Sequence, residues 1–432
     1  MTRRKDQSAA GTAGFLGVPA RRYTVSGEIP ALAPPSRLER RVLRKLLALM
    51  GDPPVRFVLW NGEQVPAAGT AECRRLHIHD RRTLWQLVIN PDLHFGDAYS
   101  RGTLDIEGDL TGFIERINRA RRNADRQNPL FSALLSRRNR VHPNTLAGSR
   151  SNIHHHYNLG NEFFQLWLDE EMVYTCAYFP AMTLTLEQAQ LAKLDYVCRK
   201  LRLQPGDTVI EAGCGWGALA RYMARKYGVR VRAFNLSKEQ IDYARTRAAA
   251  EGIGRNVEYI EDDYRNISGR CDVFVSIGML EHVGRDNYRS LGEIIDRCLA
   301  PAGRGLIHSI GRDQSCHMNA WIERRVFPGS YPPTLREMME IFEHRDFSVL
   351  DVENLRLHYA KTLEHWLARF EAHRDEVREH FDEDFVRAWR LYLAGSLAGF
   401  TTGWLQLFQV VFTRPGNNNI PWTREHLYAN RS

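Results

Sequence analysis

The stretch Val209-Ile210-Glu211-Ala212-Gly213-Cys214-Gly215-Trp216-Gly217 constrains this chain more than any other. An apolar run of strand character feeds into three glycines spaced two apart, and a helical pattern follows over Trp216–Lys226. Glycine lets the main chain turn sharply and approach a ligand, and a helix start offers free N–H groups. The residues around this unit alternate in the same way. Strands are expected at Thr208–Ala212, Val229–Phe234, Asn256–Ile260, Cys271–Ile277 and Gly305–Ile310, with helices at Lys238–Glu251 and Tyr288–Leu299 between them. Leu335–Phe342 and Phe347–Asn354 continue the series. Strands alternating with helices imply an α/β fold: a parallel sheet with helices on both faces.

A dinucleotide turn reads G-x-G-x-x-G and is followed by an acid at the end of the next strand. Here the spacing is G-x-G-x-G, and the second strand ends at Asn235. The form E-x-G-x-G-x-G resembles motif I of the S-adenosylmethionine (SAM) methyltransferases, whose turn cradles the methionine part of SAM. That resemblance implies a Rossmann-like SAM methyltransferase sheet.

The first part of the chain is different in character. A basic amphipathic helix is expected at residues 36–50, with Leu38, Val42, Leu46 and Leu49 on one face and Arg37, Arg40, Arg41, Arg44 and Lys45 over the rest. Such a helix suits either a membrane surface or the core of its own domain. Short strands are expected at Val55–Trp60, His77–His79 and Leu84–Ile89, with a turn at Asn61-Gly62 and a glycine-rich stretch to Gly108. The division implied is a disordered tail over 1–30, a smaller N-terminal α+β domain over 31–115, a basic linker over 116–150, and the sheet domain over 151–432.

The whole molecule carries 59 Lys and Arg against 51 Asp and Glu, a net +8. Arg116, Arg119, Arg121, Arg122, Arg126, Arg137, Arg138, Arg140 and Arg150 face one acid, Asp125, within 116–150. An anionic partner follows. Few aromatics interleave these arginines as base-stacking platforms, so lipid phosphates fit better than nucleic acid. The seven cysteines are dispersed without a C-x-x-C pair, which argues for a reducing compartment and against a disulfide framework. Residues 2–5 and the mildly apolar 9–20 fall short of an export signal. The uncharged run Leu391–Phe412 has the length of a membrane span but contains Ser396, Gln406 and Gln409. It reads as a helix, with Gly395, Gly399 and Gly403 packed closely on a neighbour, followed by a core strand from Leu405.

A narrower resemblance lies in residues 155–179, HHYNLGNEFFQLWLDEEMVYTCAYF, and in Gln188–Lys193, Ile277–Gly284, His308–Gly311, Phe327–Gly329 and Gln406–Phe412. These motifs, in this order, resemble the cyclopropane-fatty-acyl-phospholipid synthases and mycolic acid cyclopropane synthases. The resemblance spans about 150–415. It implies that Tyr174 and Thr175 contact SAM, that Glu211, Gly213, Gly215 and Gly217 form its turn, and that Asn235, Ser237 and Gln240 lie along its ribose and methionine. Asn235 stands where the family has Thr. Asp262, where many members carry Gln beside the adenine, and Asp263 complete the cofactor set. Cys176, Glu281, His308, Tyr359 and the Ile310 backbone match a site that holds bicarbonate. No metal is implied, and consecutive His154–His156 diverge too much to form a zinc site.

The implied reaction explains such a constellation. Attack of an alkene on an electrophilic methyl leaves a carbocation, and a proton must leave to close the ring. The site should be dry, hold a weak base, and present aromatic faces. Tyr174, Tyr178, Phe179, Tyr264 and Tyr359 are candidates for those faces. Each residue also has a plain structural reading: a buried thiol for Cys176, a sheet cap for His308, a core tyrosine for Tyr359. The chain is therefore expected to be a SAM-dependent C-methyltransferase of unsaturated phospholipid acyl chains that forms cyclopropane rings. It would work in the cytoplasm, peripherally on the inner, anionic membrane face. A methylene or methyl-branched product, a soluble small-molecule substrate, and a vestigial, non-enzymatic membrane-binding protein are the alternatives. A homodimer is left open.

Overall fold

The structure is a computed structural model that describes residues 33–66, 73–127 and 159–428. The expected tail over 1–30, the His154–His156 run and Arg137, Arg138, Arg140 and Arg150 lie outside the described residues.

The chain forms two compact units. The first runs to Arg126 and takes two later segments, Asn319–Val326 and Arg374–Tyr392. Ion pairs bind these segments in. Arg325 meets Asp97 at 3.0 Å, and Arg387 meets Asp105 at 2.6 Å. Its sheet has the order β2-β1-β3-β4, from β1 (Val55–Leu59), β2 (Gln64–Val65), β3 (Arg74–Ile78) and β4 (Leu104–Ile106). Leu84–Ile89 is not the expected strand. It belongs to a helix, Arg81–Ile89, started by Asp80, whose carboxylate accepts from Thr83 N at 2.7 Å. That cap satisfies an otherwise orphaned donor, and Thr83, Leu84 and Leu87 form the buried helical face.

The basic helix forms as Arg37–Leu49, with a reciprocal Ser36/Glu39 capping box. Its buried face is Glu39, Leu43 and Leu47, and Arg81 pairs with Glu39 at 2.6 Å. Leu38 and Leu49 are 59% and 39% exposed, and Val42 and Leu46 are half-buried. The stripe expected to be the apolar face is therefore not the core face. The two stripes lie about 100° apart on the same helix.

The second unit is built on a seven-stranded sheet of order β10-β11-β9-β8-β5-β6-β7. Its strands are β5 (Thr208–Ala212), β6 (Arg230–Asn235), β7 (Val257–Glu261), β8 (Cys271–Ile277), β9 (Leu299–Gly311), β10 (Ser348–Asn354) and β11 (Gln406–Thr413). From β7 to β9 all pairings are parallel, and β11 joins antiparallel to β9 and β10. Alternate residues feed two cores. Val209, Val231, Val275 and Leu306 pack with Leu194, Val197, Leu219 and Ile241 of one helical layer. Ile210, Phe274, Ile307 and Phe412 pack with Leu291, Ile295 and Phe342 of the other.

The expected α/β sheet with helices on both faces is thus present. One helix is broken: Leu335–Phe342 forms as Leu335–Met338 and Glu340–Glu343. The run Leu391–Phe412 resolves into the end of a helix, Glu383–Thr401, and β11. No helix among the described residues is long and apolar enough to cross a membrane. The glycines of that run do not serve close helix packing as expected. A Cβ at Gly395 would meet nothing within 4 Å, one at Gly399 would meet Leu405 in its own chain turn, and Gly403 lies past the helix end with φ +79°. All seven cysteines are free thiols.

Candidate active site

The glycine turn leaves the C-terminal end of β5. Gly213, Gly215 and Gly217 all have positive φ, +84°, +52° and +79°, a conformation side chains other than glycine resist. Gly213 and Cys214 donate their N–H groups to Phe234 O at 2.9 and 3.1 Å, which ties the turn to β6. A Cβ at Gly217 would stand 2.6 Å from Tyr259 Oη and 2.8 Å from Ala244 Cβ, so this glycine is required by close approach. At Gly215 a Cβ would meet no atom within 4 Å. Gly217 is the N-cap of the helix Ala218–Tyr227 and has no side chain to cap it. The Ala220 N–H of the first turn is held by the Glu211 carboxylate, and the N–H groups ahead of it border the glycine turn.

The neighbouring strand end supports the turn. Asn235 Nδ2 donates to Gly215 O at 3.3 Å and to Gln240 Oε1 at 2.7 Å. The asparagine that departs from the family pattern thus braces the glycine backbone. Ser237 caps the next helix by accepting from Gln240 N at 3.4 Å. Gln240 Nε2 is buried without a partner, an orphaned donor facing the same strand end. Asp262 and Asp263 differ from one another. Asp262 accepts from Asp263 N and Asn266 Nδ2, both at 2.7 Å. Asp263 is buried and held by Arg265, at 2.9 Å from both its backbone N–H and its guanidinium.

Behind the turn lies a buried polar cluster. Lys193, 2% exposed, donates to Thr175 Oγ1 at 3.0 Å. Burial lowers the Lys193 ammonium, and the carboxylates of Asp169 and Glu211 oppose that shift. Burial likewise raises Glu211, against the charges of Lys193 and Arg221. Asp169 rises to about 6 by burial although Val173 N and Glu171 N both donate to it. Lys193 and Asp169 carry this cluster, and composition alone marks neither; the signal available was their place inside the matched motifs.

Thr175 connects the cluster to the ends of β8 and β9, and Cys176 connects to a neighbouring helix. A Cβ on Gly278 would lie 2.9 Å from Thr175 Cγ2, and Gly278 N donates to His308 O at 2.9 Å. Cys176 is fully buried, and desolvation pushes its thiol well above the usual range. It is a neutral thiol whose Sγ donates to Ala177 O, not a thiolate acceptor. Ala177 N in turn donates to Thr362 Oγ1 at 3.0 Å, on the helix Arg356–Ala372 that also carries Tyr359. Tyr359 lies in the first turn of this helix, with its ring 4.6 Å from Phe400 and 5.8 Å from Trp366. Tyr174 reaches the same Trp366 at 5.3 Å.

Glu281 is the sharpest feature. Its Oε1 accepts from Ile310 N at 2.6 Å, and its Oε2 is buried with no partner. Desolvation raises its pKa to about 7, against the Ile310 N–H that lowers it. The Ile310 N–H is committed to Glu281, so it is not the free anion donor that the resemblance implied. His308, 1% exposed, sits well below the ordinary imidazole range through burial and the charges of Lys193 and Lys200.

Of the expected aromatic faces, Tyr174 and Tyr359 meet at Trp366. Tyr178 stacks on Tyr196 and His358 at 4.1 and 4.9 Å, and Phe179 on His365 at 5.7 Å. Tyr264 is placed elsewhere. It packs with Ile210 and Phe274 in the core of the opposite sheet face, because β7 is followed by a tight turn, Tyr264–Asn266, that folds back under Arg265.

The family model described as mycolic acid cyclopropane synthetase matches residues 145–410, and one described as a domain of unknown function matches 42–128. A protein of Pseudomonas putida named "Probable fatty acid methyltransferase" is 37% identical over 390 residues, covering 87% of this chain and 96% of its own. The cyclopropane-fatty-acyl-phospholipid synthase of Escherichia coli K12 is 38% identical over 61% of this chain and 68% of its own. The crystal structure of a mycolic acid cyclopropane synthase with SAH and CTAB is 31% identical with a TM-score of 0.59, over 61% of this chain and 98% of that one.

Proposed function

The chain belongs to the mycolic acid cyclopropane synthetase family, and on that premise we propose that it is a SAM-dependent methyltransferase that turns the cis double bond of unsaturated phospholipid acyl chains into a cyclopropane ring. The observation that carries the reading is the buried Glu281, with one oxygen held by Ile310 N–H and the other unpartnered, at the same strand ends as the glycine turn.

The residues present fit both small molecules the reaction needs. The open space at Gly215, the helix start whose N-cap Gly217 has no side chain, and the orphaned Gln240 amide suit SAM. The unpartnered Glu281 Oε2, on a carboxyl held by Ile310 two residues along β9 from His308, suits bicarbonate. When bound, SAM supplies an electrophilic methyl group and bicarbonate a weakly nucleophilic base.

The chain's own residues do the rest. Asn235, through Gly215 O, holds the turn in shape. Thr175, anchored by Lys193, is placed to meet the cofactor side, as the resemblance implies. With its pKa near 7, Glu281 is protonated in a substantial fraction of molecules at neutral pH, and its Oε2–H can then donate to an anion. This removes the repulsion that a carboxylate beside bicarbonate would bring. Cys176, as a neutral thiol, adds no second negative charge. The rings of Tyr174, Tyr359 and Trp366 exclude water and offer π faces to a carbocation on the acyl chain.

The substrate is a membrane lipid, and the first unit carries a surface suited to it. The stripe of Leu38, Val42, Leu46 and Leu49 lies beside exposed Arg37, Arg41, Arg44 and Lys45. Apolar residues flanked by cations are the composition of a helix that lies on an anionic bilayer. The enzyme would act from the cytoplasmic face, attached peripherally.

The test is incubation of the chain with SAM and vesicles of monounsaturated phospholipid, followed by mass spectrometry of the acyl chains. A gain of one CH₂ with the upfield proton signals of a three-membered ring is expected. Loss of turnover on stripping carbon dioxide, restored by added bicarbonate, is expected with it. A gain of CH₄ would replace the ring by a reduced methyl branch, and no gain would overturn the reading.

A further inference from the structure

Lys200 is the last residue of the helix Leu186–Lys200 and is 4% exposed. Its ammonium contacts Glu353 Oε2 at 2.5 Å and Gln409 Oε1 at 2.7 Å, and it lies 4.7 Å from the centre of the Tyr196 ring. Gln409 is fully buried, and its Nε2 stands 3.0 Å from His308 Nδ1. Glu353, Gln409 and His308 are register partners across β10, β11 and β9, so their side chains share one face of the sheet.

The chemistry of the three groups leaves one arrangement. An ammonium can only donate, so the Gln409 atom facing Lys200 is the carbonyl oxygen. The atom facing His308 is then the amide nitrogen, which also only donates. His308 Nδ1 therefore accepts and holds no proton. Without Lys200 the amide would be free to turn over, and either ring nitrogen could carry the proton.

We propose that Lys200 and Gln409 are positioning residues that lock His308 as the neutral ring protonated on Nε2, so that His308 serves as a hydrogen-bond donor to the bound anion and not as the base. The inference rests on the anion site proposed above and assigns the proton-accepting step to the anion alone. Burial and the neighbouring charges of Lys193 and Lys200 oppose protonation of the ring in the same direction.

Nitrogen NMR of the full chain labelled at histidine reads the ring directly, with the His308 signals identified by their loss in His308→Gln. The wild type should show an unprotonated Nδ1 and a protonated Nε2, and a protonated Nδ1 would overturn the proposal. Gln409→Glu puts an acceptor against Nδ1 while keeping a partner for Lys200. It should protonate Nδ1 and lower vesicle turnover at least tenfold, with SAM affinity by calorimetry within about twofold of wild type. A Gln409→Glu protein with the wild-type ring spectrum and turnover would equally overturn it. Should that variant fail to fold, Lys200→Met should give a mixture of ring forms and Lys200→Arg should keep the Nε2–H form. A Lys200→Met ring identical to wild type would refute the role of the lysine. An Nε2–H ring in a wild-type protein that methylates no lipid would sink the functional reading while leaving the relay standing. A bicarbonate-dependent enzyme with a protonated Nδ1 would do the reverse.

Discussion

Residues 209–217 form their turn from one continuous length of backbone, whereas the site proposed around Glu281 would draw on Cys176, Glu281 itself, the His308–Ile310 end of β9 and Tyr359, four separate stretches of the chain. The first works through φ angles and free N–H groups and needs almost no side-chain chemistry. The second works through burial: a carboxyl raised to about 7, a thiol kept neutral, an imidazole kept uncharged. A backbone site should therefore fail by losing its ligand, and a buried side-chain site by losing rate while the ligand still binds.

The largest effect that would sharpen this contrast is at Glu281. Glu281→Gln should slow ring formation by roughly 10²–10⁴, the range for disrupted general acid–base catalysis, with SAM affinity unchanged. A variant of normal rate, or one that loses SAM in calorimetry, would erase the distinction between the two sites.

The same substitution reports burial through stability. An acid raised from 4.5 to about 7 on folding carries no penalty below pH 4.5, where both states are protonated. Between those values the unfolded chain ionises first and the native state loses ground; above pH 7 the loss is constant at about 3 kcal/mol. Relative to wild type, Glu281→Gln should gain about that much between pH 4 and pH 8 in denaturant titrations. A difference independent of pH would mean that Glu281 is not held in a desolvated site.

On the backbone side, Gly215→Ala separates ligand loss from fold loss. Its φ of +52° should cost about 1–2 kcal/mol of stability, and its Cβ meets no protein atom. SAM binding should weaken at least tenfold in calorimetry, and unchanged affinity would remove the turn from the cofactor site. The smallest effects belong to the first unit. Arg41→Glu and Lys45→Glu should each weaken binding to anionic vesicles by about 1 kcal/mol or somewhat more. Raising salt should also weaken it, because exposed charges are screened over ~10 Å at 0.1 M. Binding that ignores both would leave the basic helix as a surface helix only.

How far each region was legible follows from the range of the forces involved. The cofactor turn and the strands around it could be read because glycine spacing and apolar alternation are local, and β8 falls at the expected Cys271–Ile277. Leu84–Ile89 misled because an apolar run suits either element, and the Asp80 cap that selects a helix lies outside the run. The residues proposed for the site at Glu281 were singled out by the family motifs. Their protonation could not be found that way, since it depends on how much water the fold removes. Lys200 and Gln409 passed unnoticed because their meaning lies in one another, across 209 residues of chain.

By itself, then, the amino-acid order determined the α/β alternation, the glycine turn and which side chains were available for chemistry, all properties of short segments. Only the tertiary structure decided which stripe of the basic helix is buried. It also decided that Ile310 N–H is spent on Glu281 and which ring nitrogen of His308 faces a donor. These outcomes depend on desolvation and on partners that meet only when distant strands and helices pack, and no local pattern encodes them.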